Sequence, residues 1–551
     1  MIERPSPPAD LLITGAPVYT VDAARRWTQA IAVKGGRIAA LGSVAEMSEW
    51  RGPRTEVLEL AGGMVLPGFQ DAHIHPLHGG LVQLQCDLHD ASGVDDYLAI
   101  VGSYAEDHPE RPWIVGGGWT MSDFPGGTPH RSLLDRVVAD RPVFLTNRDG
   151  HGAWVNSRAL EIAGIDEGTT DPSGGRIERD GRGAPTGTLH EHAMDRVEAL
   201  CPPPTAKDLE EALALAQGQL HALGITSWQD AWIAEEDLGA YVALARRGEL
   251  TARVVLSLLW DRERDESQLE ELVDRRERGT FDRLRANTVK IFQDGVAENF
   301  TAAMVDPYLD SSGRPTANAG ISMVDPEALK GYVRALDAEG FQVHFHAIGD
   351  RAVRECLNAV ESARRANGAR DARHHIAHIQ VIHPDDMPRF RRLDVVANAQ
   401  PFWACMDDQM RDLTIPFLSA ERAGYQYPFA SLRRAGATLA FGSDWPVTTS
   451  NPMLEIEVAV TRVPADDRGT EPFLPHESLD LPTALAAFTM GSAFVNQHDG
   501  ATGSIEAGKL ADVAVLDRNL FEQDGVPIGE ARVVATFVEG RPVHLDPNLS
   551  L

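Results

Sequence analysis

The sequence predicts an α/β protein built on a (β/α)8 TIM-like barrel, with a small β-sandwich domain formed by both chain ends. Three observations lead to this prediction. From about residue 200 onward, strand-like segments alternate with amphipathic, helix-like segments. Both chain ends are rich in short strand-like runs. The strand candidates of the middle number eight, which is the count of a closed barrel.

The two chain ends share short strands separated by tight turns. Near the N-terminus, AIAVKGGRIAALGS contains a hairpin turn at Gly35-Gly36, and near the C-terminus VVATFVEGRPVH contains one at Glu539-Gly540. One domain assembled from both ends makes the middle of the chain an insertion between its halves. We therefore expect residues 1–63 and 499–551 to form the β-sandwich domain, and residues 64–498 to form the barrel.

The middle of the chain carries the predicted barrel strands. One surrounds Val65, and the others lie at residues 224–230, 253–259, 288–294, 341–346, 374–380, 394–401 and 437–444. Segments between them, such as DLEEALALAQGQLHALG, have apolar residues at helical spacing and end in glycine. A long insertion at about 80–200 breaks this rhythm and is dense in Gly, Asp, Arg and Thr. Because loops after barrel strands build active sites, the insertion is expected to cap the site.

Composition and charge limit the class of partner. The formal net charge of −30 argues against nucleic-acid binding, which needs basic patches. The longest apolar runs are strand-sized, and MIERPSPPADLL lacks the pattern of a secretory signal, so neither a transmembrane helix nor a leader is expected. The four cysteines are scattered and form no CxxC pair. We expect a cytoplasmic protein that acts on a small-molecule substrate, with no nucleic-acid or membrane partner.

Histidines recur in pairs at the ends of predicted strands. MVLPGFQDAHIHPLH brings His73 and His75 to one face, because strand residues two apart point to the same side. FQVHFH repeats the pattern with His344 and His346. Two neutral imidazoles on one side of a strand end are half of a metal site, although a single such pair also occurs by chance.

Three further strand ends carry ligand-type side chains. Lys290 lies inside the apolar strand of TVKIFQD, where burial lowers the pKa of its amine. A neutral amine can react with carbon dioxide to form a carbamate that bridges two metal ions. A lysine paired with a carboxylate, or one with a buried stem and a solvated head group, is the alternative. His378 ends HHIAHIQ and Asp444 ends ATLAFGSD, so the predicted metal ligands are His73, His75, Lys290, His346, His378 and Asp444.

Several motifs spread along the chain carry a family resemblance. They are PGFQDAHIHP, NRDGHGAWVNSRAL, PTGTLHE, VKIFQDGV, HFHAIGDRAV, HIAHIQ and FGSDWPV, between about residues 60 and 515. The chain resembles the amidohydrolase superfamily of metal-dependent hydrolases, and most of all its amidohydrolase-3 branch of YtcJ-like and N-substituted formamide deformylase-like proteins. The resemblance implies a competent metal centre, for which one or two divalent ions, most often Zn²⁺, are expected. Carboxylation of Lys290 stays one of the open accounts of that residue. A homodimer is a further family-level expectation.

These residues predict a metal-dependent hydrolase, and the resemblance implies that it cuts a non-peptide amide C–N bond, such as that of an N-substituted formamide or an N-acyl compound. A bound divalent metal lowers the pKa of water and supplies hydroxide near neutral pH. Asp444 is predicted to take the water proton and to deliver it to the leaving group. His151, from the insertion, and His344 are candidates to stabilise the charged tetrahedral intermediate. A loop histidine satisfied by the backbone is an equally good account of His151.

Aromatic residues near strand ends are candidates for substrate binding. Trp119, Trp154, Trp403 and Trp445 could shape an apolar pocket, although packing is the commoner role of such residues. Three other functions stay open: a cyclic amide or imide hydrolase or a deaminase, an esterase, and a non-catalytic barrel protein. The last of these would typically lose metal ligands, and this sequence keeps every predicted one.

Overall fold

The computed structural model describes residues 8–522 and 525–549. Its centre is the predicted barrel, a sheet of eight parallel strands that follow one another in chain order. They are β1 (Phe69–Ile74), β2 (Ile225–Ile233), β3 (Arg253–Leu259), β4 (Leu284–Phe292), β5 (Gln342–Ala347), β6 (His375–His378), β7 (Val396–Ala399) and β8 (Leu439–Phe441). Backbone hydrogen bonds from Asp444 N to His73 O (2.7 Å) and from His75 N to Trp445 O (2.9 Å) join the last strand end to the first. The predicted fold class is confirmed.

Helices cover the outside of the barrel between successive strands. They are Ala206–Ala222, Glu235–Arg247, Leu269–Arg278, Pro326–Ala338, Asp350–Asn367, Met387–Arg392, Ala420–Ala423 and Phe429–Arg434, followed after β8 by Pro452–Thr461, Leu481–Ala486 and Ser492–Val495. The first begins at a capping box, in which Thr205 caps the helix and Asp208 bonds back to the Thr205 backbone. No helix in the described ranges is long and apolar enough to cross a bilayer.

Strands from both chain ends form two further sheets. The first contains Leu11–Thr14, Ala30–Lys34, Arg37–Gly42 and Glu56–Glu59, and the second contains Val18–Tyr19, Trp27–Thr28, Met64–Pro67, Val513–Leu516, Val533–Val538 and Arg541–Leu545. A short helix, Val44–Met47, lies between strands of the first sheet. Ile31 and Val515 belong to one apolar core shared by both sheets. The turns at Gly35-Gly36 and Glu539-Gly540 have positive φ at both positions, as the predicted hairpins require.

The prediction that the strand around Val65 opens the barrel is wrong. Met64–Pro67 pairs antiparallel with Val513–Leu516 and belongs to the terminal domain, and β1 begins after Gly68. Both strands are apolar and a single glycine separates them, so hydropathy alone does not divide them. The N-terminal half of the terminal domain therefore reaches Pro67 rather than residue 63.

The insertion between β1 and β2 contains a mixed six-stranded sheet of its own. Its strands are Cys86–Asp87, Ile114–Trp119, Val143–Asn147, Gly152–Val155, Gly175–Arg179 and Pro185–Glu191. The helix Pro76–Gln83 leads into it, and Val94–Asp107, Arg131–Asp135, Ser157–Ala163 and His192–Glu198 pack within it. Two apolar cores, separate from the barrel core, hold the sheet and these helices together. The segment is thus a folded unit rather than a long loop.

The register of the parallel strands brings ligand-type side chains to one level. Lys290 on β4 lies beside His344 on β5, and two residues further along Phe292 lies beside His346. Because side chains alternate along a strand, the side chains of one strand at this spacing share a face. The C-terminal ends of barrel strands are where sites of this fold occur. The register therefore collects these groups at the barrel mouth.

Candidate metal centre

His73, His75 and Asp444 form a compact group of ligand-type side chains at the ends of β1 and β8. The Nε2 atoms of His73 and His75 lie 3.1 and 3.0 Å from Asp444 Oδ1. One ligand atom from each residue lies within 4.8 Å of the other two, and no other group of His, Cys, Asp or Glu side chains in the described ranges does the same. Two imidazoles and a carboxylate at this spacing suit a divalent cation.

The backbone around this group is strained and closely packed. Asp444 and His378 have positive φ angles of 58° and 73°, in the left-handed region that is uncommon for residues other than glycine. Such strain is found at functional sites, where the surrounding structure holds it in place. A Cβ at Gly442 would lie 2.4 Å from His73 N, so only glycine allows the end of β8 to pass this close to β1.

Burial and local contacts set the protonation of the group. Burial, with a smaller contribution from the Lys290 charge, lowers the pKa of His73 to about 3, which leaves a neutral imidazole that can act as a ligand. Burial alone would raise the pKa of Asp444, but contact with the ring nitrogens of His73 and His75 outweighs it and holds that pKa well below its usual range. An ionised carboxylate facing the neutral imidazole of His73 leaves a place for a cation between them.

His344 lies behind His73 and is fully buried. Its Nε2 is 2.8 Å from His73 Nδ1, and its Nδ1 is 3.1 Å from Ser257 Oγ. When His73 offers Nε2 to a metal, its Nδ1–H donates to His344, and His344 in turn donates Nδ1–H to Ser257. Both ring nitrogens of His344 are occupied by these contacts. The predicted catalytic role does not fit this position, and we assign His344 to positioning His73.

Lys290 is enclosed in the barrel, with 1% of its side chain exposed. Burial lowers the pKa of its amine to about 7, although the negative charge of Asp444 opposes the shift. No carboxylate lies within ion-pairing distance of Lys290 Nζ in residues 8–522 and 525–549. Its head group is also not solvated, so neither alternative account of this lysine describes the structure. A neutral, nucleophilic amine at the barrel mouth is the state that carboxylation requires.

His346 and His378 lie next to the compact group. Their ring centroids are 4.4 Å apart, and the His378 ring lies 4.8 Å from that of His73. His378 Nδ1 is buried without a hydrogen-bond partner in the described part of the chain, and it lies 3.8 Å from Asp444 Oδ2. A buried ring nitrogen with no partner is costly unless something binds it. The donor set therefore fits a metal, and the structure brings all six predicted ligand residues to the barrel mouth.

The insertion contributes His151 to the same place. The ring of His151 lies 5.4 Å from that of His346, and its Nδ1 is 3.0 Å from Glu191 Oε2. Burial disfavours the charged imidazole, but the carboxylate of Glu191 outweighs burial and raises the pKa of His151 to about 9. His151 is thus a protonated partner of Glu191 rather than a loop histidine satisfied by the backbone.

Two contacts tie this pair to the loop after β4. Thr301 Oγ1 donates to Glu191 Oε1 at 2.9 Å, and Asn299 Nδ2 donates to His151 O at 3.1 Å. Glu191 itself has a positive φ of 51°, at the point where the last strand of the insertion turns into a helix. The insertion is therefore joined to the barrel mouth at the residues that face His346.

Trp119 and Trp154 are packing residues of the insertion. Both are fully buried, and both rings pack edge to face against Phe124. Their Nε1 groups donate to backbone carbonyls of Leu145 and His130. The prediction that they shape the substrate pocket is wrong, because the insertion has a core of its own that needs large apolar side chains.

Trp403 and Trp445 do lie beside the candidate metal centre. The Trp403 ring is 5.7 Å from the ring of His378, and its side chain is half-buried. Trp445 directly follows Asp444, and its ring packs where a Cβ at Gly79 would lie. Both remain predicted substrate contacts.

Two residues at the centre are missing from the predicted set. In the sequence, Glu191 is the acid that ends PTGTLHE. Its contact with His151, which makes it part of the site, joins residues 40 positions apart in the chain. Phe292 stacks on His346 with ring centroids 4.9 Å apart, and Lys290 Nζ lies 4.8 Å from its ring. The spacing of two residues from Lys290 could have indicated that Phe292 shares the inward face of β4.

The fold and the centre together define a class of protein, the metal-dependent hydrolases that carry their site at the C-terminal ends of a (β/α)8 barrel. Within this class the chain belongs to the Amidohydrolase family, which it matches over residues 56–544.

The chain is also similar to individual proteins over nearly its whole length. It is 31% identical to the putative amidohydrolase YtcJ of Bacillus subtilis, an alignment that covers 96% of this chain and 98% of that protein. It is 28% identical to the N-substituted formamide deformylase of Arthrobacter pascens, which covers 96% of this chain and 97% of that protein. The crystal structure of an uncharacterised metal-dependent hydrolase from Pyrococcus furiosus superposes with a TM-score of 0.70 at 26% identity, over 93% of this chain and 100% of that one. The family resemblance of the motifs is confirmed.

Proposed function

We propose that this protein hydrolyses a non-peptide amide C–N bond in a small molecule, such as an N-substituted formamide or an N-acyl compound. The observation that carries the proposal is the convergence of His73, His75 and Asp444 at the barrel mouth. The relative from Arthrobacter pascens is named as an N-substituted formamide deformylase, and this name supports an amide as the bond that is cut.

The donors suit one or two divalent ions, and we take Zn²⁺ as the metal because imidazole and carboxylate ligands suit it. His73, His75 and Asp444 would hold one ion, and His346 and His378 would hold a second beside it. Carboxylation of Lys290 would add two further oxygen ligands. When bound, the metal supplies hydroxide near neutral pH and polarises the substrate carbonyl.

Asp444 is the group that moves the proton. Its carboxylate is ionised, and its two oxygens face the rings of His73, His75 and His378. Asp444 takes the proton of the attacking water and returns it to the leaving nitrogen, so that the C–N bond breaks toward a neutral amine. Because its pKa is low, Asp444 could take this proton only from a water whose own pKa a bound metal has lowered.

His151 stabilises the negative charge that develops on the carbonyl oxygen. Glu191 occupies Nδ1, which leaves Nε2–H for the substrate, and the pair keeps the ring protonated. A fixed cation in a buried site acts strongly on developing charge. His151 comes from the insertion, so the insertion completes the site in this proposal.

The setting of the reaction forms part of the proposal. Cys86, Cys201, Cys356 and Cys405 are free thiols, as is usual in a reducing compartment, and we place the protein in the cytoplasm. A homodimer is proposed from the family alone, and light scattering on the purified protein measures it.

A hydrolysis screen tests the function. Metal-loaded protein is offered formamides, N-acyl amino acids, cyclic imides and aryl esters, and product formation is measured. We expect turnover of an amide, and a loss of about 10²–10⁴-fold in Asp444→Asn, because asparagine cannot accept the proton. Asp337→Asn is the matched control, since Asp337 also pairs with a buried histidine, His374, which precedes β6 at the opposite end of the barrel. Activity that survives Asp444→Asn contradicts its role, and failure to cut any amide contradicts the proposed bond.

A further inference from the structure

Trp232 is a large aromatic side chain left open to solvent at the C-terminal end of β2. Its side chain is 46% exposed, whereas Ala231 and Ile233 on either side are buried. A hydrogen bond from Trp232 N to Asp230 Oδ1 at 3.2 Å holds the backbone at this point. The strand backbone that carries the indole is therefore held in place, and the indole itself is not used to fill a core.

A series of ring contacts connects Trp232 with the metal centre. The Trp232 ring meets Phe292 edge to face at 5.1 Å, and Phe292 stacks on His346 at 4.9 Å. Phe292 also lies against Lys290, whose Nζ is 4.8 Å from the ring. One phenylalanine thus separates the exposed indole from two predicted ligand residues.

The same contacts show on which side of the barrel Trp232 lies. Phe292 and Lys290 are two residues apart on β4 and share its inward face, since Lys290 is enclosed in the barrel. β2 and β4 are not neighbours, because β3 lies between them. A ring contact between Trp232 and Phe292 therefore passes over the end of β3, and Trp232 leans over the barrel mouth rather than outward.

We propose that Trp232 selects substrates by stacking against a flat apolar group, while the bond to be cut lies beside Asp444. This inference rests on the proposed function and adds a substrate class to it: amides that carry an aromatic or other planar apolar substituent. Trp232 is a specificity residue here and takes no part in proton transfer.

Stacking on one indole has a limited effect, which sets the size of the expected change. Aromatic pairs add between about twofold and about tenfold in affinity beyond the apolar area that they bury. Replacing Trp232 should therefore change the preference between ring-bearing and ring-free ligands, and it should leave the metal centre itself intact.

The experiment measures binding without requiring turnover. Benzylphosphonate, cyclohexylmethylphosphonate and methylphosphonate are titrated by calorimetry into zinc-loaded wild type and Trp232→Ala. The phosphonate is the common group for the metal centre, the benzyl ring tests stacking, and the cyclohexyl ring has similar apolar area without a flat face. We expect Trp232→Ala to weaken benzylphosphonate about tenfold, cyclohexylmethylphosphonate less, and methylphosphonate not at all.

Trp27 provides a matched control. It is 44% exposed and meets Phe521 edge to face at 5.0 Å, much as Trp232 meets Phe292, but it lies in the terminal domain. Trp27→Ala should leave the affinity for all three phosphonates unchanged.

The outcomes separate this inference from the proposed function. Equal affinities of wild type and Trp232→Ala for benzylphosphonate overturn the inference and leave the hydrolase proposal standing. An equal loss of affinity for all three phosphonates also overturns the inference, because Trp232 would then act on the metal centre and not on the ring of the ligand. If no phosphonate binds the zinc-loaded wild type, the assigned metal centre fails, and the role of Trp232 fails with it.

Discussion

At the scale of single residues, the centre depends on imidazoles held neutral and in one orientation. Burial keeps the pKa of His73 low, while the contact with His344 leaves its Nε2 free for a metal. His378 has the same requirement, because its Nδ1 is buried and finds no hydrogen-bond partner among the residues that the structure describes. These positions explain why two histidines of one HxH pair, His344 and His346, take different roles.

Substitution of His344 tests its positioning role. Glutamine keeps an acceptor near the place of His344 Nε2, and leucine removes it. We expect His344→Leu to weaken metal binding by about 10–100-fold, and His344→Gln to weaken it much less. Metal affinity is measured by competition with a chelating dye. The melting temperature of the metal-free protein reports separately on packing, and a loss of affinity that merely follows that temperature in both variants contradicts the role.

At the scale of elements, the barrel has two differently built ends. The C-terminal strand ends hold the strained turns and the contacts to the insertion, through Asp444 and Glu191. The opposite end is a conventional packed junction, where His221 joins the helix Ala206–Ala222 to β2 and to Thr251, which lies two residues before β3. There His221 Nδ1–H donates to Ile225 O at 2.9 Å, and Nε2 accepts from Thr251 Oγ1 at 2.7 Å.

This junction predicts a loss of stability in acid. Burial lowers the pKa of His221 to about 4, against an ordinary value of 6.5. The unfolded chain therefore binds the proton first, so the contribution of His221 is complete above about pH 6.5 and is lost as the pH falls toward 4. A pKa difference of this size corresponds to about 3 kcal/mol.

Thermal melts between pH 7.5 and pH 4.5 measure the effect. The melting temperature of the wild type should fall more steeply with acid than that of His221→Gln, which cannot titrate. His476→Gln serves as control, because the His476 side chain is 62% exposed. Parallel pH profiles for wild type and His221→Gln would show that His221 does not carry this dependence.

At the scale of the whole molecule, the features that the sequence predicts most clearly are those that follow from the periodicity of apolar residues. Strand alternation predicts the barrel, and residues at strand ends, from His73 to Asp444, predict where the ligands gather. Periodicity does not report depth, so His344 could not be distinguished from His346 before its contacts with His73 and Ser257 were known.

Long-range packing accounts for the other differences between the sequence-based predictions and the structure. The strand Met64–Pro67 belongs to the terminal domain because its partner, Val513–Leu516, lies at the far end of the chain. Trp119 and Trp154 serve a core that exists only because the insertion folds by itself. The pattern of one stretch of sequence does not show which distant segment packs against it, and that segment determines the role of the stretch in these examples.

Return of a metal to metal-free protein tests the central claim most directly. Chelator-treated protein is titrated with Zn²⁺ while the rate of hydrolysis of an amide found in the screen is followed. The account predicts no activity without metal and a rise that ends at one or two equivalents of Zn²⁺ per chain, set by His73, His75 and Asp444 with His346 and His378. Equal amide hydrolysis before and after metal return would contradict it.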